Sequence, residues 1–507
     1  MRLSLKQTVW WLIGGLFILM TVSGYSSQGS GSQPLPNIIY LYADDLGYGD
    51  LGCYGQKHIR TPRLDQLAAE GMRFTDHYSS SNVCAPARAS LMTGKHQGHA
   101  GSRNNYEVLP WGQYPLPSSE VTIATLLKQI GYATAAIGKW GLGPVGSEGD
   151  PANHGFDLFF GYNCQRHAHT YYPSFLLRND RRIDLRPWNG EVPRTERNFL
   201  QTRAYAEVEG DPREFFSRFK GEMYSPDLMI QEALRFVREN RNGPFFLYYP
   251  TTVPHVALQV PEDSLMEYLA LAWDDKPYLG EGYLPHPAPR AAYAAMITRM
   301  DRDMGRIIDL IDELGLTEDT IFMFSSDNGA LRNRLGVDSN FFQNHGPLRG
   351  EKGNFYEGGI RVPMIARWAG KIPSGTVTDL PTAQYDVLPT LLELIGRPDL
   401  IPDGIDGISF APTLLGRAEE QHRHEYLYWE RSTAGGQQAV RMGQWKAIRH
   451  ADGDRPGTIE LYNLADDIGE QRNVASQYPE IVERIEEIMR ENHVPHPAFP
   501  LAMLGEK

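Results

Sequence analysis

Asn37-Ile38-Ile39-Tyr40-Leu41-Tyr42-Ala43-Asp44-Asp45-Leu46-Gly47 is an apolar, β-prone run of strand length that stops abruptly at two adjacent carboxylates. A strand over 37–42 followed by that acidic pair sets the pattern for the rest of the chain. A helix follows from Thr61: Thr61 is placed to cap it, Pro62 suits its first position, Leu64, Leu67 and Ala68 form an apolar face, and Gly71 stops it.

The same grammar recurs downstream. A helix over 122–129 ends at Gly131, and a strand over 132–137 runs into Gly138-Lys139. A strand over 245–249 runs into Thr251 to His255; a long amphipathic helix over 291–314 ends at Gly315; a strand over 321–324 runs into Asp327-Asn328. Strands alternating with helices predict an α/β fold: a large, mostly parallel mixed sheet sandwiched by helices. Ligands bind such sheets beyond the carboxyl ends of the strands, and each of these polar clusters falls at such an end.

From about Glu425 the texture changes to short strand-like runs over 426–429, 439–441, 445–449 and 460–464, separated by Gly, Asp and Asn. These predict a smaller C-terminal antiparallel sheet, closed by a helix over 479–489 with Ile481, Ile485 and Ile488 on one face. The expected division is a main domain over 35–420 and a C-terminal subdomain over 421–507. No internal repeats are found.

Residues 1–24 read as a signal peptide: Arg2 and Lys6, an apolar run over 9–22, and small residues at its end. The apolar stretch is shorter than the ~20 residues a membrane span needs, so no stable membrane anchor is expected. Residues 25–34, rich in Ser, Gly and Gln, read as a flexible tether. The expectation is export, to a periplasm or the medium. With 507 residues, 41% of them hydrophobic, the chain can bury a large core. Its net charge is −13, and loss of the basic leader makes it more acidic still, which opposes polyanions and argues against nucleic acid as a partner. Its cysteines are Cys53, Cys84 and Cys164; an odd count in an exported chain points to one thiol with another task, for which Cys84 is the candidate, and a Cys53–Cys164 bond is left open.

Asp44-Asp45 and Asp327-Asn328 offer four hard oxygen donors, and adjacent strand ends would bring them together. Such a set suits Ca²⁺, Mg²⁺ less well, and argues against zinc. Either pair alone reads as a solvated turn. The sharpest motif is Cys84-Ala85-Pro86-Ala87-Arg88, followed by Thr93-Gly94. Pro86 suits the first turn of a helix whose free N–H groups would face the strand ends and favour an anion at position 84.

This run resembles the signature of the type I, formylglycine-dependent sulfatases of the alkaline phosphatase superfamily, in which a maturation enzyme oxidises the cysteine to formylglycine. The resemblance extends along nearly the whole mature chain: residues 37–50, Gly138-Lys139-Trp140, Pro254-His255, and residues 349–353 with 357–363 are similar in order and spacing to the family's other motifs. It implies one Ca²⁺ held by Asp44, Asp45, Asp327, Asn328 and the modified residue 84. It also implies that Arg88 holds the formylglycine hydrate, Lys139 and Lys352 bind sulfate oxygens, and His255 protonates or stabilises the leaving oxygen. The hydrate would attack sulfur to give a sulfated enzyme that collapses to the aldehyde. Fixed cations suit this chemistry, because charge builds on the leaving oxygen in the transition state, and a metal lowers the pKa of a bound hydroxyl.

One position departs from the pattern. Many relatives continue Lys-Trp-His, whereas residue 141 here is glycine. His167 and His169, in Gln165-Arg166-His167-Ala168-His169, are alternative suppliers of a base; equally, they bind sugar hydroxyls or pack in a loop. Arg103-Asn104-Asn105 is a second polar surface that either contacts sugar or ties loops together. The expected substrate is a sulfated sugar cleaved from a chain end, of galactose or N-acetylgalactosamine type. Two other readings stand beside it: a phosphoric or phosphonic ester hydrolase of the same superfamily, which commonly adds histidine ligands, and an inactive sulfoglycan-binding protein.

Overall fold

Every residue of strand β1 (Asn37–Asp44) is buried, because its alternate side chains enter two separate apolar layers. Ile39, Leu41 and Ala43 pack with helices α1 (Pro62–Ala69), α4 (Ser225–Asn240) and α5 (Pro289–Glu313). Ile38, Tyr40 and Tyr42 pack on the other side with α2 (Cys84–Thr93), α3 (Ile123–Gln129) and α6 (Val387–Leu394). Each large side chain so enclosed contributes roughly 1.5–3 kcal/mol. The computed structural model describes residues 34–109, 112–185, 216–217, 219–280, 282–331 and 333–507. The leader and almost all of the tether lie outside the described residues.

The remaining strands of the large sheet are β2 (Met72–Phe74), β3 (Ala133–Lys139), β4 (Leu158–Tyr162), β5 (Phe175–Arg178), β6 (Arg181–Asp184), β7 (Phe245–Pro254), β8 (Thr320–Ser326), β9 (Met364–Trp368) and β10 (Thr376–Thr378). Their order is β10-β2-β9-β8-β1-β7-β3-β4-β5-β6. The central strands β8, β1, β7, β3 and β4 are parallel, and antiparallel pairs occur on either side, at β8–β9 and β4–β5. The mostly parallel, helix-covered sheet agrees with the sequence reading, and the carboxyl ends of β1, β3, β7 and β8 open on one rim.

The C-terminal strands β11 (Leu427–Arg431), β12 (Gln437–Met442), β13 (Trp445–Asp452) and β14 (Arg455–Asn463) form an antiparallel sheet in sequential order. Tyr428, Val440, Ala447 and Leu461 on one face bury Ile485, Ile488 and Met489 of α7 (Pro479–Glu491). On the other face Leu427, Trp429, Ala439 and Ile448 pack on Tyr78, Phe355, Ile360 and Tyr385. The described residues from Leu35 to Lys507 form one compact unit, so this sheet is an integral part of the fold.

One local expectation is corrected. Thr61 precedes α1, but its hydroxyl accepts from Gly52 N–H at 2.8 Å and donates to Asp65 at 3.2 Å. The first-turn N–H groups of Arg63 and Leu64 donate instead to Asp301 of α5, at 3.1 and 2.8 Å. The cap arrives from a distant helix, which no local pattern can disclose.

Candidate active site

Asp44 ends β1, and Asp45 turns the chain with a φ of 67°, a left-handed conformation costing on the order of 1 kcal/mol in a non-glycine residue. Asp327 follows β8, and its backbone N–H continues the sheet pairing to Ala43 O at 3.1 Å. Its Oδ1 takes the Asp45 N–H at 3.0 Å, joining the two acidic turns. Asn328 donates from Nδ2 to Asp45 at 2.7 Å, while its Oδ1 is buried with no hydrogen-bond partner.

Cys84 opens α2, a helix buried along its whole length, and its Sγ lies 3.6 Å from Asp44 and 3.9 Å from Asp45. Arg88, one turn on, gives Nη2 and Nε to Asp327 at 2.7 and 3.2 Å and Nη1 to Lys139 O at 2.5 Å. Lys139, last in β3, reaches Asp44 at 2.7 Å. Lys352 reaches Asp45 at 2.7 Å and the Cys84 sulfur at 3.3 Å.

Donor atoms of Asp44, Asp45, Cys84 and His255 all lie within 4.8 Å of one another. Three carboxylates and an unpartnered amide oxygen in a buried space fit one hard cation, for which Asp44, Asp45, Asp327 and Asn328 would supply the oxygens. Asp327 titrates above the usual carboxylate range, first because it is buried and then because Asp44 is close.

Burial, followed by Asp327, pushes the Cys84 thiol up to about 12, against the pull of Lys139 and Lys352. Burial alone thus favours the protonated sulfur, and a cation held by the neighbouring carboxylates would act in the opposite direction. His255 follows β7 and donates from Nδ1 to Val256 O at 2.5 Å, which leaves Nε2, 3.4 Å from Asp45, as the nitrogen facing the site. Burial, then Lys352 and Lys139, hold its pKa well below the ordinary histidine value, which favours the neutral ring.

A cleft of about 420 Å³ opens over this group, lined by Cys84, Asn105, Gln165, Arg166, His169, His255, Tyr283 and Lys352 among others. That volume is in the range of small-molecule sites. His169 stacks on His255, with centroids 4.2 Å apart and planes at 11°. Tyr283 packs against both rings, at 5.3 and 5.8 Å. Asn105 takes the Ala85 N–H at 2.9 Å, beside the sulfur.

The structure thus brings Asp44, Asp45, Cys84, Arg88, Lys139, His255, Asp327, Asn328 and Lys352 together, with His169 at the cleft wall. Of the two readings left open for Arg103, Asn104 and His167, sugar contact or packing between loops, the structure shows contacts within the protein. Arg103 is buried, bound to Glu430 at 3.0 Å and to Ala100 O and Val494 O. Asn104 is bound to Ser432 and Thr433 at 3.2 and 3.0 Å. His167 is packed between Tyr162 and Phe175, at 4.9 and 4.3 Å. Two residues along a single 3-10 turn (His167–His169) carry the two imidazoles to different surroundings.

Sequence reasoning missed Tyr283, Gln113 and the ion pair of Arg166 with Glu107, none of which belongs to a recognisable motif. Gly141 has a φ of 77°, and a Cβ on it would meet Gln165 Nε2 at 2.9 Å. Gln165 fills the space beside the position where the expected histidine is missing.

The family model described as Sulfatase matches residues 36–397, and that of the N-sulphoglucosamine sulphohydrolase C-terminal region matches 350–494. Human arylsulfatase D is 32% identical over 449 residues, 78% of this chain and 70% of the relative. N-acetylgalactosamine-6-O-sulfatase of Bacteroides thetaiotaomicron is 30% identical over 512 residues, 91% of this chain and 94% of the relative. The crystal structure of Ps i-CgsB in complex with k-i-k-neocarrahexaose superposes with a TM-score of 0.72 at 27% identity, covering 90% of this chain and 93% of that one. Matched along nearly the whole described chain, with its acidic strand ends and basic residues gathered around one cysteine, this chain belongs to the sulfatase family and is a sulfuric ester hydrolase.

Proposed function

We propose that this chain removes sulfate from sugar units at the end of a glycan, of galactose or N-acetylgalactosamine type, using one Ca²⁺ and a formylglycine made from Cys84. The observation that carries this reading is the seat of the Cys84 sulfur, between two acidic turns and 3.3 Å from the Lys352 ammonium, at the floor of the cleft. The run Cys84-Ala85-Pro86-Ala87-Arg88 with Thr93-Gly94, which seats this sulfur at the start of a buried helix, favours conversion of the residue. The sugar class is supported by the bacterial N-acetylgalactosamine-6-O-sulfatase and by the saccharide bound to Ps i-CgsB. When present, the hydrated aldehyde and the cation supply a nucleophilic hydroxyl and a Lewis acid on a sulfuryl oxygen.

The chain's own residues do the rest. Lys139 and Lys352 oppose the charge of the sulfate group, in a buried setting where such charges act strongly. Arg88 holds Asp327 and Lys139 O in place from beneath. His255 turns Nε2 toward the site, and an arriving anion would offset the part that Lys352 and Lys139 add to burial in keeping the ring neutral, which favours a proton on Nε2 for the leaving oxygen. His169 keeps the His255 ring in plane, and Tyr283 offers an aromatic wall to a sugar ring. The maturation enzyme and export through the leader belong to the same reading.

The test joins a mass spectrum of the peptide containing residue 84 to sulfate release from defined sulfated sugars and an aryl sulfate. The expected result is an aldehyde at residue 84 and release that vanishes in Cys84→Ala. A cysteine found unmodified in fully active protein would overturn the proposal. Sugar binding retained by a parent protein that releases no sulfate would favour the inactive binder.

A further inference from the structure

The end of strand β11 and the two residues after it, 430–433, bind segments that adjoin the cleft-lining residues Cys84, Asn105 and Lys352. Arg431 is buried and donates from Nη1 to Asn82 Oδ1 at 3.0 Å and to Gly353 O at 3.4 Å. Asn82 lies two residues before Cys84, and Gly353 directly follows Lys352. These two partners are themselves joined, Gly353 N–H to Asn82 O at 2.9 Å. Glu430 holds Arg103, and Ser432 and Thr433 hold Asn104. The next residue, Asn105, accepts the Ala85 N–H at the start of α2. The Arg431 Nε also donates to Thr433, at 3.0 Å, which fixes the guanidinium to the same short segment.

We infer that Arg431 is a positioning residue: through Asn82 and Gly353 it sets the spacing between residue 84 and the Lys352 ammonium, making the C-terminal sheet part of the catalytic apparatus. The physical reason is that neither partner segment is secured there by regular structure. Residues 79–83 form an irregular strap between a two-residue strand and α2, and residues 349–356 form a loop ahead of a four-residue helix (Glu357–Ile360). A planar guanidinium with several fixed donors can hold two carbonyl oxygens from different segments at once, which the single ammonium of a lysine does less rigidly. A reactive pair needs such support, because a displacement of about 1 Å can cost on the order of 100-fold in rate.

This inference rests on the proposed role of residue 84, so its test carries one measurement that does not depend on activity. Arg431→Met, Arg431→Gln and Arg431→Lys are compared with the parent and with Arg449→Met, which alters the same sheet on strand β13, where the guanidinium donates to Gln438 and not to Asn82 or Gly353. Amide hydrogen exchange should rise in peptides covering 79–84 and 349–357 in Arg431→Met and Arg431→Gln, and not in Arg449→Met. With an aryl sulfate, kcat should fall on the order of 10- to 100-fold while KM moves less than kcat, and Arg431→Lys should recover part of the loss. Should Arg431→Met fail to fold, Arg431→Gln and Arg431→Lys carry the comparison. Unchanged exchange in those two segments overturns the inference whatever the activity. So does a kcat that falls only in step with the melting temperature, as in Arg449→Met. A parent that releases no sulfate defeats the proposed function instead, and leaves the exchange measurement to decide the role of Arg431.

Discussion

The Lys352 ammonium lies 2.7 Å from Asp45 and 3.3 Å from the Cys84 sulfur, so replacing it both removes a charge at the anion's place and frees Asp45. Lys352→Ala should lower kcat/KM by about 10²- to 10³-fold, the usual loss for one preorganised donor. Lys352→Arg should restore little, because a planar fork does not fit a seat shaped for a point charge. Steady-state kinetics with an aryl sulfate checks both. Asp44, Lys139, His255 and Asp327 were legible because each sits where an apolar strand stops, whereas Lys352, in a loop, was reached through the family resemblance alone. Arg103, Asn104 and His167 were left between two readings for a physical reason: polar side chains suit a ligand and a distant protein partner equally. The partners of Arg103 and Asn104 lie more than 300 residues away at Glu430, Ser432 and Thr433. Tyr283 gave no signal, since a lone aromatic in an irregular stretch has no period to betray it.

Between elements, Asp50 in the segment after β1 accepts from Tyr293 of α5 at 2.8 Å and from Gly47 N–H at 2.7 Å. Burial raises its carboxyl to about 7, although both hydrogen bonds pull the other way. In the unfolded chain such a group titrates near 4. Between those values the folded protein keeps a proton that the unfolded chain gives up. This contribution to stability is therefore complete below about pH 4 and declines as pH rises toward 7. Asp301, the remote cap of α1, is raised to about 7 by burial too, despite the Leu64 and Arg63 N–H groups, and acts with the same sign. Asp50→Asn should make the denaturation midpoint less sensitive to pH across this interval while leaving the Asp301 share; an unaltered pH dependence would contradict the assignment. Strands and helices were visible through their periodicity, whereas the cap of α1 was not, because Asp301 belongs to another element.

For the molecule as a whole, the acidic turns after β1 and β8 and the start of α2 bring like charges close together, so a bound cation should hold the sheet rim and the nucleophile helix in one piece. A chelator should abolish sulfate release and lower the melting temperature, and Ca²⁺ should restore both better than Mg²⁺. Saturation at about 100 times Kd corresponds to about 2.7 kcal/mol of added stability. A melting curve indifferent to chelator and calcium would remove the cation from this reading. The layered architecture was readable because it follows from alternation of strand and helix; the grip of the C-terminal sheet on the cleft was not, since it depends on contacts between segments some 350 residues apart. The enclosure of α2 along its full length carries a consequence for how such a protein acquires its chemistry. If residue 84 is converted by a macromolecule that must grasp the peptide around it, that catalyst has access only while the nascent polypeptide is still open. Activation is then a matter of timing, and a preparation that closes too early stays inert however much oxidant is supplied later.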